Sequence, residues 1–309
     1  MSGYSPTFSL QTRLSGGCLL VLAGNRHLHW AWVPKIPKVS EVSEAPKRFT
    51  IPQDLICWDT PHLTTALDSA AGRAACSALW DGVGPNVLSL KQGFLEGIIP
   101  LFSASVVPPQ TAHLEGYPLT QGITLGDIPL PQTYPTLGVD RALALWAAGQ
   151  LQGWPAIVID GGTALTLTGG NERGELVGGA ILPGLGLQFQ SLFQHTAALP
   201  LLSLETLPDR WACNTADAIL SGVAYTLLAG VQSFLQDWLK TYPHTQVYFT
   251  GGDGQWLYQH LSPWLQDPIG SDRVVYEPHL ALGGLWGITQ FKLMSGQPMG
   301  FGTTEFSLG

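Results

Sequence analysis

The stretch from Ala156 to Gly186 constrains the fold of this chain more than any other. An apolar run ends in Asp160, the turn Gly161-Gly162-Thr163 follows, and a second β-rich run continues from Ala164 to Thr168. Glycines in a turn let backbone N–H groups approach an anion closely, and a threonine hydroxyl adds a donor. An acid at a strand end can hold a cation against phosphate oxygens. The pattern predicts a phosphate-binding β-hairpin, and it is neither a Walker loop nor a dinucleotide fingerprint.

Composition narrows the class of protein. The 309 residues suffice for two domains, and 45% hydrophobic against 12% charged residues indicate a well-packed globular chain. The formal net charge is −8 and there is no run of Lys or Arg, so we expect no nucleic-acid partner. A bound nucleotide would be held by backbone amides, a metal ion and a few selected cationic side chains.

The cysteines and apolar runs predict where the protein acts. Four cysteines without CxxC spacing indicate neither a zinc site nor a disulfide framework, and they fit a reducing compartment. No uninterrupted apolar run reaches the ~18 residues of a membrane span, and Cys18 to Ala23 is too short for a signal-peptide core. We expect a cytoplasmic protein with no membrane association. Residues 1–14 are expected to form a loose tail.

A pattern near the start of the chain repeats in its second half. Cys18 to Trp32 predicts a strand, a turn at Gly24-Asn25 and a second strand, as does the stretch from Ile159 to Thr168. The repeat predicts two duplicated α/β halves, each opening with a phosphate hairpin, and a nucleotide cleft between them. We expect an N-terminal domain over 15–137 and a C-terminal domain over 138–309.

Several polar residues have structural explanations that compete with functional ones. His27 and His29 alternate on one strand, which is more typical of a half-exposed sheet face than of a metal site. Asp59 or Thr60 is interpreted as the N-cap of a helix from Thr60 to Trp80. Pro, Gly and Thr recur over 108–136 and indicate turns and loops there. We expect the change of domain within or just after this stretch.

A helical pattern begins directly after Gly138. Asp140 in its first turn is explained by the helix dipole, but Arg141 opposes that dipole and suggests an anionic ligand at this helix start. A helix from Thr215 to Trp238 is predicted after a capping box, and a strand from Gln246 to Thr250 leads to a second glycine turn that could approach a nucleoside.

Three motifs in combination carry a resemblance: Gly-x-Asp-Arg at 138–141, Asp-x-Gly-Thr-Ala at 160–164, and Gly-Gly-x-Ile-x-Pro-Gly at 178–184. With LAGNRHLHWAW at 22–32 and VYFTGGDG at 247–254, they place matches in order along nearly the whole chain. The chain resembles the type III pantothenate kinases, of the superfamily of sugar kinases, heat-shock chaperones and actin. The resemblance implies two ribonuclease H-like (actin-like ATPase) α/β domains and a homodimer that uses ATP, Mg²⁺ and a monovalent cation, K⁺ or NH₄⁺.

The resemblance also implies residue roles. Asp140 would be the general base that takes the proton from the primary hydroxyl of pantothenate, giving 4′-phosphopantothenate in the first step of coenzyme A biosynthesis. Asp160 would hold the monovalent cation. The positions that match pantothenate contacts are Tyr134, Gly138, Val139, Asp140, Arg141 and Thr196. The positions that match ATP-phosphate contacts are Gly24, Asn25, Arg26 and Thr163.

The chain departs from the family pattern at the first hairpin. Leu22 stands where the family has an acid, and Arg26 where it has a hydroxyl residue; Gly283 replaces the acid of the last motif. We hypothesise that Arg26 compensates as a fixed cation on the phosphates. The loss at Leu22 keeps open an alternative function, a catalytically weakened nucleotide-binding regulator. A kinase of another small hydroxyl substrate is a third possibility, because fold does not fix substrate.

Overall fold

The computed structural model describes residues 17–35, 49–80, 83 and 88–294. The tail expected over 1–14 lies outside these ranges. The chain divides into two compact units, unit 1 (Met1–Pro129, Thr136–Ala147 and Ala281–Gly309) and unit 2 (Leu130–Pro135 and Ala148–Leu280). The segments 136–147 and 281–309 thus belong to unit 1. A single boundary along the chain therefore does not separate the two units. The domain bounds expected at 15–137 and 138–309 stay a prediction.

The described sheets have five strands each. Unit 1 contains β1 (Cys18–Ala23), β2 (His27–Val33), β3 (Ile56–Pro61), β4 (Leu101–Ser105) and β5 (Thr120–Gly122). Unit 2 contains β6 (Ala156–Gly161), β7 (Ala164–Gly170), β8 (Leu176–Pro183), β9 (Gln246–Thr250) and β10 (Val274–Tyr276). The helices are α1 (Ala70–Ala75), α2 (Leu88–Glu96), α3 (Pro108–Glu115), α4 (Val139–Gln152), α5 (Leu185–His195), α6 (Thr215–Thr241), α7 (Gly254–Ile269) and α8 (Leu280–Met294).

The two sheets have the same topology. Unit 1 has the strand order β3-β2-β1-β4-β5 and unit 2 the order β8-β7-β6-β9-β10, so both follow 3-2-1-4-5. In each unit the first three strands are antiparallel neighbours, and the last two run parallel to the first. The duplication predicted from the two hairpins is confirmed at the level of the whole sheet.

Strand β1 shows why the hairpin pattern was readable in the sequence. All six of its residues are buried, which matches the continuous apolar run from Cys18 to Ala23. Strand β6 is buried from Ala156 to Ile159, and the half-buried Asp160 precedes its last residue, Gly161. Runs buried on both faces are expected where a strand lies inside a sheet covered by helices. The predicted strands at 18–23, 156–159 and 246–250 are confirmed.

Aromatic side chains pack together in unit 1. Trp30 stacks on Trp58 with ring centroids 6.1 Å apart, and Trp58 lies 6.0 Å from Trp80. Phe94 contacts Trp30 and Trp80 edge-on and stacks on Tyr117 at 5.1 Å. Such pairs stabilise a core beyond the area they bury. The cluster accounts for part of the tryptophan content of the chain.

Helix α6 forms much of the core of unit 2. Its buried residues Val223, Leu227, Val231 and Leu235 belong to a cluster with the strands of that unit. Among the described residues, this helix alone is long and apolar enough to cross a membrane by length and composition, and 44% of its most apolar window is buried. The expectation of no membrane association stays a prediction. A core helix of a globular protein meets the same measure.

The helix predicted from Thr60 to Trp80 is wrong over most of its length. Strand β3 continues to Pro61, α1 covers only Ala70–Ala75, and a short 3₁₀ turn covers Ser77–Trp80. The N-cap of α1 is Ser69, whose hydroxyl accepts from the Gly72 N–H at 3.1 Å. Asp59 is not a helix cap, because it lies in β3 opposite His29.

The irregular structure expected from Pro108 onward is also partly wrong. Helix α3 begins at Pro108 and continues to Glu115. Proline is tolerated in the first turn of a helix, where its missing N–H would have no intrahelical partner. A residue interpreted as a breaker is therefore the start of an element.

Candidate functional site

The turn of the first hairpin lies between β1 and β2. The Gly24 N–H donates to the His27 carbonyl at 3.0 Å, which closes the turn. The Gly24 carbonyl accepts from His62 Nε2 at 2.8 Å, while Asn25 and Arg26 are exposed. The turn is held from inside the unit, and its two central residues face solvent.

Leu22 occupies the position where the family pattern has an acid. Its side chain is buried, and it pairs with His29 on β2 and with Ala104 on β4. An apolar side chain in this packed position supplies no ligand for a cation. The departure seen in the sequence is therefore also a difference in the chemistry of the hairpin.

A histidine and an aspartate face each other across β2 and β3. His29 Nδ1 lies 2.7 Å from Asp59 Oδ1, and the two residues are direct partners in the strand register. The His29 ring lies beside the first turn, because a Cβ built on Gly24 would be 3.4 Å from His29 Nε2. The sequence pattern did not predict this pair.

The start of α4 carries the candidate base. The Asp140 carboxylate accepts from the Arg141 N–H at 2.7 Å. Burial raises the pKa of Asp140, and the hydrogen bond and charge of Arg141 and the charge of His29 oppose that rise without cancelling it. A Cβ built on Gly138 would collide with Asp140 Oδ1, so a glycine at this position lets the carboxylate adopt its conformation. Val139 and Arg141 are buried.

The first turn and the start of α4 share one edge of the unit 1 sheet. The Val106 N–H, directly after β4, donates to the Ala23 carbonyl at the end of β1 at 3.1 Å. Val106 Cγ1 also lies 3.6 Å from a Cβ built on Gly138. Ligands of α/β proteins bind outside the carboxyl ends of parallel strands. The structure thus brings Gly24, Asn25 and Arg26 into the same region as residues 138–141.

The second hairpin, in unit 2, is built from tightly packed glycines. Gly251 has φ +83°, and a Cβ at this position would collide with Asp160 Oδ1. The Asp253 N–H donates to the Gly161 carbonyl at 2.8 Å, and the Gly184 N–H donates to the Thr163 carbonyl at 3.0 Å. The turn at 161–163 is therefore fixed by two other segments, each of which approaches through a glycine.

The Asp160 carboxylate lies against the second glycine turn, because a Cβ built on Gly251 would collide with Asp160 Oδ1. The backbone and Cβ of Asp253 lie next to Gly161. Burial raises the pKa of Asp253. Within the described residues, no group of three or more His, Cys, Asp or Glu could hold a metal ion. An ion at this turn would depend on carboxylate and carbonyl oxygens, the ligands of alkali and alkaline-earth cations.

Tyr134 and Thr196 lie in unit 2, whereas residues 138–141 lie in unit 1. Tyr134 is 40% exposed. Thr196 follows α5 and donates its hydroxyl to the Leu192 carbonyl at 2.7 Å, and its oxygen lone pairs can still accept. Their proposed contacts with substrate stay a prediction.

Sequence reasoning did not assign to the candidate site three residues that the structure places beside it. Asp253 reaches Gly161 through the second glycine turn, whose sequence had already suggested a ligand. His29 and Asp59 lie next to the first turn. The signal for this pair was a histidine and an acid on separate β-rich runs, and it becomes visible only once the strand register is known.

Two sheets of identical 3-2-1-4-5 order, each with a glycine turn after its first strand, define the class: an actin-like ATPase fold of two ribonuclease H-like α/β units. A crystal structure of a Baf family protein from Campylobacter jejuni shares the fold, with a TM-score of 0.51 and 18% identity over 89% of this chain and 98% of that one.

Sequence relatives define the family. The model of the type III pantothenate kinase family matches residues 90–237. A type III pantothenate kinase of Synechococcus sp. (strain JA-2-3B'a(2-13)) is 41% identical over 275 residues, 88% of each chain. Another from Nostoc sp. is 50% identical over 190 residues, 60% of this chain and 68% of that one. The chain belongs to the type III pantothenate kinase family.

Proposed function

We propose that this protein transfers the terminal phosphoryl group of ATP to the primary hydroxyl of pantothenate and releases 4′-phosphopantothenate, the first step of coenzyme A biosynthesis. The observation that carries the proposal is the half-buried Asp140 carboxylate at the start of α4, which accepts from the Arg141 N–H at 2.7 Å and matches the position of the family's general base. Phosphoryl transfer depends on positioning and charge stabilisation, so a base, a cation and amide-lined turns form a sufficient set.

Asp140 accepts the hydroxyl proton as the nucleophilic oxygen attacks. Its raised pKa makes it a better proton acceptor than a solvated carboxylate. Gly138 and Val139 shape the surroundings of the base, and Arg141 provides a fixed positive charge for the pantothenate carboxylate or its neighbourhood. Tyr134 and Thr196 contribute further contacts with the substrate.

The two glycine turns hold the phosphates. Gly24 lets the first turn approach the phosphates closely, Asn25 offers a backbone N–H group, Arg26 offers a guanidinium, and Thr163 offers a hydroxyl from the second turn. Asp160 holds K⁺ or NH₄⁺, and Mg²⁺ accompanies ATP. When bound, these cations supply positive charge to the phosphate oxygens. Since Leu22 is buried and apolar, the first hairpin provides no carboxylate at that position for Mg²⁺.

The protein is proposed to act as a homodimer in the cytoplasm. Apolar side chains on unit 2 support the dimer, since Val177 is 50% exposed and Ile181 is 66% exposed on β8, a terminal strand of its sheet. Exposed apolar residues on an edge strand favour association with another chain.

A coupled assay of ADP release with purified protein, pantothenate, ATP, Mg²⁺ and K⁺ tests the function. We expect turnover that depends on pantothenate, a mass increase of one phosphoryl group in the product, and loss of rate when Na⁺ replaces K⁺. Nucleotide binding without turnover would instead support the regulator. Turnover with another small alcohol but not with pantothenate would support the third possibility.

A further inference from the structure

The strongest unassigned feature is the pair of His29 and Asp59 beside the first turn. Asp59 Oδ1 accepts from His29 Nδ1 at 2.7 Å, which fixes the orientation of the imidazole. The opposite edge of the ring faces Gly24, because a Cβ built there would be 3.4 Å from Nε2 and 3.6 Å from Cδ2. The ring is therefore held at one nitrogen by a carboxylate and presents the other to the phosphate turn.

Two acids, Asp59 and Asp140, lie within electrostatic reach of this ring. An adjacent carboxylate stabilises the protonated form of an imidazole. Asp140 is the second acid within electrostatic reach, and the positive charge of His29 lowers the pKa of Asp140 against the effect of burial. The basic groups near the turn are Arg26 and His27, which belong to the hairpin, and His62, which donates to the Gly24 carbonyl.

A phosphate bound at the first hairpin would need positive charge from groups other than a metal ion held at position 22. Leu22 is buried and cannot bind a metal ion, so phosphates at this turn lack one route by which their charge would be neutralised. An imidazolium that is oriented before ATP binds can stabilise a phosphate oxygen with little reorganisation. His29 occupies such a position in the described part of unit 1.

We propose that His29, oriented by Asp59, is an ATP-binding residue that donates an N–H from Nε2 to a phosphate oxygen at the first turn. In this role it supplies part of the positive charge that a metal ion would bring if an acid stood at the position of Leu22. Asp59 is then a positioning residue. This inference rests on the proposed function for its kinetic consequence, but nucleotide binding alone also reports on it.

The test compares His29→Gln, His29→Lys and Asp59→Asn with the wild type. We expect His29→Gln to raise the KM for ATP and the Kd for a non-hydrolysable ATP analogue about tenfold or more, as expected for loss of a charge-assisted hydrogen bond. The KM for pantothenate should change less than twofold. His29→Lys should recover part of the affinity because it restores a positive charge, and Asp59→Asn should cause a smaller loss in the same two constants.

His244→Gln is the control variant, since His244 is exposed in the turn before β9 of unit 2. Melting temperatures and circular dichroism identify any variant that fails to fold. If His29→Gln fails to fold, the ATP constants of Asp59→Asn test the proposal instead. Unchanged ATP constants in folded His29→Gln would overturn the proposal, as would a loss that His29→Lys does not reduce. A wild type that binds the analogue but does not phosphorylate pantothenate would overturn the proposed function, and the binding comparison would still decide the role of His29.

Discussion

At Asp140, burial and local hydrogen bonding act on the pKa in opposite directions, and burial dominates. The proposed role as general base needs the ionised carboxylate, yet its surroundings disfavour that charge. Gly138 leaves room for the carboxylate, and Arg141 donates a backbone N–H to it, so both stabilise the carboxylate in this position. A base held in this way is matched to proton transfer nearer to neutral pH than a solvated carboxylate.

We therefore expect kcat/KM to fall as the pH is lowered through the pKa of Asp140, with the midpoint above the ordinary value of 3.8. Asp140→Asn should remove this dependence and lower kcat by about 10²–10⁴-fold, the usual contribution of a general base. Initial rates across pH, for both proteins, test this.

The same substitution has a predicted effect on stability. A carboxylate whose pKa is raised by folding contributes stability below its unfolded pKa and loses it as the pH rises. At neutral pH, Asp140→Asn should thus keep or raise the melting temperature, and the difference should shrink in acid. A large fall in melting temperature at pH 7 would contradict the proposal that Asp140 is a half-buried, ionised base.

Gly251 and Gly252 provide a matched pair of substitutions. Gly251→Ala places a side chain at φ +83° against Asp160, whereas a Cβ on Gly252 meets no atom within 4 Å. The left-handed conformation alone costs alanine about 1–2 kcal/mol. We expect Gly251→Ala to lower the melting temperature, to lower kcat at least tenfold and to raise the K⁺ concentration needed for half activity. Gly252→Ala should resemble the wild type, and equal effects of both would argue against a cation beside Asp160.

At the scale of elements, α6 is a core helix whose composition resembles that of a membrane span. The distinction lies in its two faces, since Val231 and Leu235 are fully buried while Gln236 and Asp237 are exposed. The exposed face is mixed, since it also carries Phe234, which is 46% exposed.

We expect Leu235→Ala to lower the free energy of unfolding by about 2–5 kcal/mol, because it leaves a cavity in the core of unit 2. Gln236→Ala on the exposed face should change it by about 0.5 kcal/mol or less. Urea unfolding followed by circular dichroism measures both. After cell lysis and high-speed centrifugation the wild type should stay in the supernatant; recovery with the membrane pellet would contradict the core role of α6.

Elements with a strong local signal were predictable from the sequence. β1, β6 and β9 are apolar runs that end at glycine turns, and α4 has helical spacing after Gly138. The strand β3 was missed because Asp59 and Thr60 have the chemistry of an N-cap, and only pairing with β2 makes them part of a sheet. α3 was missed because proline was interpreted as a breaker.

The same limit applies to the candidate site. Residues within one motif, such as Asp140 and Arg141, could be named from the sequence because their spacing is local. The approach of Gly251 and Asp253 to Asp160 and Gly161, and that of His29 to Asp59, depend on which strands become neighbours. Local patterns carry no information on that pairing.

At the scale of the whole molecule, the exposed residues of β8 connect the fold with the proposed dimer. Ile181→Lys should weaken association by placing a charge on an apolar surface, so sedimentation velocity should show a shift toward monomer. Gln266→Lys, on the exposed face of α7, is the control and should stay dimeric. A wild-type chain that sediments as a monomer at all concentrations would exclude the homodimer.

The repetition of one sheet order in both units gives the chain a form of redundancy. The second hairpin carries Asp160 next to its glycine turn, whereas the first carries the buried Leu22 at the equivalent place. The two turns therefore have the same backbone framework and different side-chain chemistry. Under the proposed function, the side chains of Arg26 and His29 would supply at the first turn the positive charge that a metal ion would otherwise bring.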